Sequence, residues 1–176
     1  MAVLSQSFYF GKQARNDMMC AEYEEVIIMN AQQLWEKYCI ETGKNTDLPY
    51  QAWQFGGTGD ELAGLVLKGR KTATASAYRL YEIDNEPLPK EDDYSVILNS
   101  KEEALCIIRT THVAVVPFYE VSEDHAYKEG EGDRTLTYWK AVHEYFFRKE
   151  YEEYGLPFDL HDLMVVTEEF ELVYKA

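Results

Sequence analysis

The spacing of apolar residues changes at Gly69, and this change limits the possible folds more than any other feature of the chain. Before it, Leu62 and Leu65 recur at helical spacing. After it, the segment 72–78 is mostly small and β-branched, which favours an extended strand. Glycine commonly ends a helix in a left-handed turn. We therefore predict a short helix capped by Asp60, ended at Gly69 and followed directly by a strand.

The remaining patterns predict more strands than helices. One helix is predicted from Asn30 to about Ile40 with Gly43 as its stop, and a long one from Leu136 to about Tyr154. Further strands are predicted over 94–98, 104–111, 113–116 and 163–173. Helices that lie outside a run of strands are typical of α+β proteins. We expect a small, mostly antiparallel curved sheet or barrel with flanking helices.

The length and composition indicate one cytoplasmic domain. At 176 residues the chain is the size of a single domain, and it has no apolar run long enough to span a membrane. The N-terminal segment lacks the charged start, apolar stretch and cleavage site of a signal peptide. Three widely spaced cysteines argue against a disulfide framework and against a structural zinc site. These features leave the oligomeric state open.

The net charge restricts the partners. With 32 acidic and 17 basic side chains the formal net charge is −15, which has the wrong sign for attraction to long polyanions. Positive charge near the helix-to-strand turn is limited to Lys68, Arg70, Lys71 and Arg79. We expect no DNA partner and no membrane partner. A ligand the size of one nucleotide fits this balance better than a nucleic-acid chain.

Lys71 and Thr74 are the first candidates for chemistry. A bulge or turn near Lys71 would bring the two side chains together, and a partly desolvated lysine could then take the proton of the threonine hydroxyl. The alternative is a surface lysine beside a strand threonine. Spacing alone leaves both interpretations open. Trp53, Phe55 and Tyr78 are near enough in sequence to line a pocket that stacks on a base.

The second candidate is the segment Glu129-Gly130-Glu131-Gly132-Asp133, in which glycines separate three carboxylates. Glycine lets the chain adopt positive φ and lets carboxylates approach a ligand. The alternative is structural, because Asp133 or Thr135 can cap the helix that follows. The four histidines lack the spacing of a helical metal pair, and His143 is predicted to be a core residue. No metal and no cofactor are expected, since P-loop and dinucleotide motifs are also missing.

The run Gly69-Arg70-Lys71-Thr72-Ala73-Thr74 resembles the G-x-K-x-x-T-x-R signature of the ASCH domain family. Neighbouring segments are similar to the bacterial branch of that family: Trp53-Gln54-Phe55-Gly56, Leu62 to Leu67, Glu129 to Leu136, Trp139, His143 and Phe146-Phe147. The resemblance covers roughly residues 31–174. It implies a PUA-like barrel, an ASCH domain over residues 29–176 and an N-terminal extension over residues 1–28.

The resemblance also implies a function. Small relatives hydrolyse the amide of N4-acetylcytidine with a lysine, a threonine and a glutamate, which correspond here to Lys71, Thr74 and Glu131, with Glu129 as second choice. By this resemblance Thr74 is expected to attack the amide carbonyl, Lys71 to take its proton, and Glu131 to hold the amide or protonate the leaving amine. Backbone N–H groups of residues 69–71 are expected to stabilise the oxyanion. We assign Trp53, Phe55, Gly69, Arg70, Tyr78, Arg79 and Thr135 to ligand binding.

One departure and two alternatives accompany this prediction. The arginine that closes the family signature is replaced by Ser76, and Arg79 is near enough in sequence to substitute for it. The first alternative is a PUA-like RNA-binding module without catalysis. The second is a metal-independent ribonuclease that uses Lys71 with Thr135 or Tyr78. The expected partner is accordingly a modified nucleoside or RNA.

Overall fold

A computed structural model describes residues 28–176, so nearly all of the predicted N-terminal extension lies outside the described residues. The helices are α1 (Ala31–Thr42), α2 (Gly59–Leu67), α3 (Tyr78–Asp84), α4 (Glu123–Glu129) and α5 (Leu136–Glu153). The strands are β1 (Gln51–Trp53), β2 (Ala73–Ala77), β3 (Tyr94–Leu98), β4 (Ala104–Pro117) and β5 (Met164–Lys175). A short 3-10 turn, Phe118–Glu120, follows β4.

The strands form one sheet in the order β1-β3-β4-β5-β2, curled into a half-barrel. Three of the four strand pairings are antiparallel, and β1 runs parallel to β3. The long strands β4 and β5 change register between Ile107 and Ile108 and again between Thr110 and His112. Such irregularities bend a strand and increase its twist, which accounts for the curl. The predicted α+β class with a curved, mostly antiparallel sheet is confirmed.

Several element predictions are wrong in detail. β1, α3 and α4 were not predicted, so the described residues contain as many helices as strands. The two strands expected over 104–111 and 113–116 are the single strand β4, because His112 lies at a register shift rather than in a turn. Tyr78 begins α3 instead of ending β2. Short elements such as β1 depend on their neighbours in the sheet, and their local sequence carries a weak signal.

Local capping rules predict the ends of α1 but not the start of α2. α1 starts with a reciprocal capping box between Asn30 and Gln33 and ends at Gly43 with φ 69°, as predicted. For α2 the predicted cap is wrong. Its N-cap is Thr58, whereas the Asp60 carboxylate accepts hydrogen bonds from the backbone N–H and hydroxyl of Ser100, each at 2.6 Å. The side chain that was predicted to cap α2 therefore binds Ser100, in a loop that is distant in the sequence.

Three apolar clusters hold the helices on the sheet. α5 packs through Trp139 and Phe147 against the cluster that contains Phe118 and Val165. α1 covers a separate cluster at the other end of the sheet, and α2 covers a third around Phe55. Within the described residues, no helix is long and apolar enough to cross a membrane. This packing places α2, α4 and α5 around the start of β2.

Glu150, on α5, is a partly buried carboxylate whose ionisation is expected to destabilise the fold. Its Oε2 has no hydrogen-bond partner among the described residues. Burial raises the pKa of Glu150 from 4.5 to about 7, with the charge of Glu153 adding to the rise and His143 opposing it. An acid with a raised folded-state pKa favours folding below its unfolded pKa of 4.5, and that stability is lost as the pH rises through about 7.

We predict that Glu150→Gln raises the free energy of unfolding above pH 7 by about 1–2 kcal/mol. The effect is no larger because solvent partly screens the carboxylate. Near the unfolded carboxyl pKa of 4.5 the variant and the wild type should be equally stable. Urea unfolding at about pH 4.5 and about pH 8 measures the difference. The exposed Glu36→Gln on α1 is the control, and a gain of the same size at both pH values would contradict the prediction.

Candidate active site

The turn at the end of α2 places Lys71 at the start of β2. Gly69 has φ 67°, a conformation that glycine adopts without strain. The backbone N–H groups of Arg70 and Lys71 both donate to the carbonyl of Leu65, at 2.9 and 3.2 Å. The next N–H, that of Thr72, donates at 2.8 Å to the carbonyl of Lys128 in α4. The chain leaves α2 and runs along the end of α4, which brings Lys71 beside Glu129.

Lys71 is an ammonium group held between two carboxylates. Its Nζ donates to Glu129 Oε2 and to Glu131 Oε1, both at 2.8 Å. Lys71 and Glu129 are each 1% exposed, whereas the Glu131 side chain is 18% exposed. Burying a charge is costly unless it is paired and hydrogen-bonded, and this arrangement supplies both conditions.

The two carboxylates differ in how their oxygens are engaged. Glu129 Oε1 accepts from Trp139 Nε1 at 2.7 Å and lies 3.1 Å from His125 Nε2, while Oε2 accepts from Lys71. His143 Nε2 lies 3.5 Å from the same Oε1. Glu129 is thus fixed on all sides. For Glu131, Lys71 is the hydrogen-bond partner in the described structure, so it keeps acceptor capacity and some access to solvent.

The electrostatics count against the predicted role of Lys71 as a base. Burial by itself lowers the pKa of Lys71, but the charges and hydrogen bonds of Glu129 and Glu131 together outweigh it, and the pKa is raised above 10.5. Burial likewise favours a neutral Glu129, but Lys71 and the two histidines hold the pKa of Glu129 well below 4.5. At neutral pH the pair is ionised. In its ammonium form Lys71 has no lone pair with which to accept a proton, which favours a different proton acceptor.

Lys71, Thr74, Glu129 and Glu131 all line one cavity of about 390 Å³. The remaining wall is mostly apolar and aromatic, contributed by Phe55, Leu62, Leu65, Tyr138, Val142 and Phe146. Lys71 Nζ lies 5.3 Å from the centre of the Phe55 ring. A cavity of this size with few convergent polar groups is typical of a small-molecule site. The sequence predicted four of its polar lining residues.

Of the residues assigned to ligand binding, Phe55 lines the cavity, whereas the others lie outside its lining. Arg70 donates from Nε to the carbonyl of Gly130 at 2.6 Å and from its terminal nitrogen to the carbonyl of Gly132 at 2.8 Å. It therefore holds the loop that carries Glu131. Thr135 caps α5, accepting from the N–H of Tyr138 at 3.1 Å. Trp53 packs edge-on against Phe55 and lies outside the cavity lining.

Tyr78 and Arg79 lie away from this cavity. Tyr78 borders a separate surface pocket beside Tyr81 and Glu82. Arg79 is exposed and pairs with Glu82 at 2.7 Å, because α3 turns it outward. It does not substitute for the missing signature arginine in the cavity. Ser76, at that signature position, shares a 2.9 Å hydrogen bond with the hydroxyl of Tyr81.

Two further expectations are corrected by backbone and histidine contacts. The N–H groups of Gly69, Arg70 and Lys71 already donate to α2 carbonyls, so they are unavailable to an oxyanion. His143 is buried, as predicted, but it also lines the cavity and stacks on Trp139 with ring centres 4.1 Å apart. Sequence reasoning did not find His125 as a partner of Glu129. The available signal was that His125 lies four residues before Glu129 on one helix, a spacing that places two side chains side by side.

Metal chemistry has no geometric support in the described part of the chain. Between residues 28 and 176, no three or more His, Cys, Asp or Glu side chains are arranged to hold a metal ion. The histidine nitrogens nearest the cavity face Glu129 and, for His143 Nδ1, the carbonyl of Trp139 at 3.0 Å. Because a carbonyl only accepts, His143 Nδ1 carries a hydrogen.

A curled five-stranded sheet with a charged cavity between β2 and its flanking helices defines a small PUA-like α+β module. The chain belongs to the ASCH domain family, whose family model matches residues 51–174. The similarity predicted from the sequence is therefore confirmed. A comparison with curated proteins gives no match.

Two solved bacterial structures are similar to the chain. The ASCH domain from Lactobacillus crispatus JV V101 is 31% identical, with a TM-score of 0.75, and the match covers 86% of this chain and 99% of that one. A protein from Enterococcus faecalis V583 is 36% identical, with a TM-score of 0.74, covering 82% of this chain and 88% of that one. Both similarities extend over almost the whole described structure.

Proposed function

We propose that the chain is an amidohydrolase that removes the acyl group from an N-acylated pyrimidine nucleoside such as N4-acetylcytidine. The observation that carries the proposal is the placement of Lys71, Thr74 and Glu131 on one cavity with apolar walls. A planar base fits between aromatic and aliphatic side chains. An amide needs a nucleophile, a proton acceptor and a stabilised oxyanion, and this cavity offers one group for each task.

The proposed reaction assigns the base role to Glu131. Thr74 Oγ1 attacks the amide carbonyl carbon, and its proton passes to the Glu131 carboxylate. The Lys71 ammonium stabilises the negative charge that develops on the carbonyl oxygen. The C–N bond then breaks, and Glu131 returns the proton to the departing amine. Water hydrolyses the acyl ester on Thr74, with Glu131 again accepting and returning a proton.

Glu129 supports this reaction as a positioning residue. Its oxygens are engaged by Lys71, Trp139 and His125, and it is 1% exposed. A carboxylate with this many partners is held in one orientation and is poorly placed to exchange protons with a substrate. It keeps Lys71 charged and fixed in place. These contacts favour Glu131 over Glu129 as the functional glutamate.

Thr74→Val is the first test, because it removes the nucleophile and keeps the shape of the side chain. We expect kcat/KM for N4-acetylcytidine to fall by about a thousandfold or more, measured by chromatography of cytidine and acetate. The control is Thr72→Val, since the Thr72 hydroxyl faces the carbonyl of Lys128 at 3.4 Å and lies outside the cavity lining. Equal activity in both variants would contradict the role of Thr74. Binding without acetate release in the wild type would leave a binding site only.

A further inference from the structure

The charges around the cavity restrict which nucleosides it can accept. Its lining contains one ammonium, that of Lys71, and three carboxylates, those of Glu61, Glu129 and Glu131. Even with His143 counted as a cation, the carboxylates outnumber the positive groups by one. The ammonium is already shared by two of the carboxylates at 2.8 Å. The cavity therefore has an excess of negative charge and no cation among its lining residues free to meet a phosphate.

The arginines close in sequence to the lining residues do not change this balance. Arg134 donates from Nε to the carbonyl of Tyr127 at 3.0 Å, and its guanidinium lies 3.5 Å from the centre of the Tyr127 ring. The Arg70 guanidinium is engaged by the carbonyls of Gly130 and Gly132, and Arg79 is paired with Glu82 outside the cavity. Phosphate sites in proteins depend on Arg or Lys side chains or on free backbone N–H groups.

The amino end of α2 reaches the cavity through Gly57 and Thr58, and such a helix end would ordinarily favour an anion. Its first turn, however, carries Asp60 and Glu61. Glu61 lines the cavity, so its carboxylate opposes the attraction of the helix end for a phosphate.

We propose that the cavity selects uncharged nucleosides over nucleotides, with Glu61 as the specificity-determining residue at its mouth. This inference rests on the proposed function, which gives the class of ligand, and adds that the ligand is uncharged. A phosphate that enters the cavity of about 390 Å³ with its nucleoside shares that volume with the three carboxylates of the lining. The separation is within about one Debye length, roughly 10 Å at 0.1 M salt, so repulsion is only partly screened.

The experiment uses cytidine and cytidine 5′-monophosphate as probes, because neither is consumed. Isothermal titration calorimetry on the wild-type chain at about 20 mM salt should show cytidine binding roughly tenfold more tightly than the monophosphate. The ratio should shrink toward one at about 0.5 M salt. In Glu61→Gln at low salt it should fall by about threefold, whereas Glu36→Gln, which removes an equal charge on α1, should leave it unchanged.

The outcomes separate the two proposals. Equal or tighter binding of the monophosphate overturns the charge selection, and so does failure of both probes to bind. An unchanged ratio in Glu61→Gln overturns the role of that residue. Preferential binding of cytidine together with no acetate release from N4-acetylcytidine rejects the amidohydrolase and retains the selection. Acetate release at equal efficiency from the acetylated nucleoside and its monophosphate rejects the charge selection and retains the amidohydrolase.

Discussion

Replacing Lys71 with methionine is expected to lower the free energy of unfolding by about 3–5 kcal/mol and to abolish amide hydrolysis. The variant keeps most of the side-chain volume but leaves Glu129, 1% exposed, without its cation. An uncompensated buried charge costs far more than the pair contributes when intact. Urea unfolding at neutral pH gives the change in stability, and acetate release from N4-acetylcytidine gives the change in activity.

The pH dependence of that loss distinguishes an ion pair from lost packing. The depressed pKa of Glu129 contributes stability above the ordinary carboxyl pKa of 4.5, and this is lost as the pH falls through the folded-state value. The raised pKa of Lys71 contributes stability below 10.5, which is lost as the pH rises through its folded-state value. The difference between wild type and Lys71→Met should thus be greatest between these limits. A difference that stays constant down to about pH 3 would contradict the ion-pair account.

Two companion variants complete the comparison. Lys128→Met breaks the partly exposed pairs with Asp124 and Glu169 and should cost less than about 1 kcal/mol. Adding Glu129→Gln to Lys71→Met removes the unpaired charge, so the double variant should be more stable than Lys71→Met alone. It should remain inactive, because the ammonium is still missing.

Gly130→Ala is expected to destabilise the chain by about 3 kcal/mol or more, from left-handed strain and overpacking together. Gly130 has φ 76°, and a Cβ there would lie 2.4 Å from the Arg70 carbonyl oxygen and 2.8 Å from its carbon. These are backbone atoms next to Lys71, so they cannot move aside as a flexible side chain would. Relief of the clash must separate α4 from the start of β2, which moves Glu129 away from Lys71.

Gly155→Ala is the matched control for this substitution. Gly155 also follows a helix, with φ 66°, but a Cβ added there would meet no atom within 4 Å. It should show the strain of the left-handed conformation alone, about 1–2 kcal/mol. Chemical unfolding of both variants and their acetate release separate the two effects. Equal losses of stability would show that the close approach at Gly130 is unimportant.

The predicted and observed site differ in ways that follow from the range of the interactions. The helix-to-strand turn at Gly69 was predictable because turn chemistry and apolar period are properties of adjacent residues. The partners of Glu129 were not, although His125 stands four residues before it on α4. Trp139 reaches the same oxygen from α5, and no spacing rule connects those two helices.

The acid–base role of Lys71 shows the same limit more sharply. From the sequence alone, a desolvated lysine is a reasonable base, because burial lowers its pKa. Its two carboxylate partners lie 58 and 60 residues further along the chain. Their combined effect reverses the direction of the shift. Because the pKa of Lys71 is raised, the proposed proton acceptor is Glu131 rather than Lys71.

The sequence by itself determined the α+β class, the limits of α1 and the start of α5, and the position of Lys71 after a glycine turn, because caps and apolar periods act over a few residues. Only the tertiary structure decided that β4 is one bent strand and that Arg70 holds a loop. It also decided that the pKa of Lys71 is raised rather than lowered. These outcomes depend on contacts between distant segments, whose geometry and dielectric environment exist only after the sheet and helices have packed.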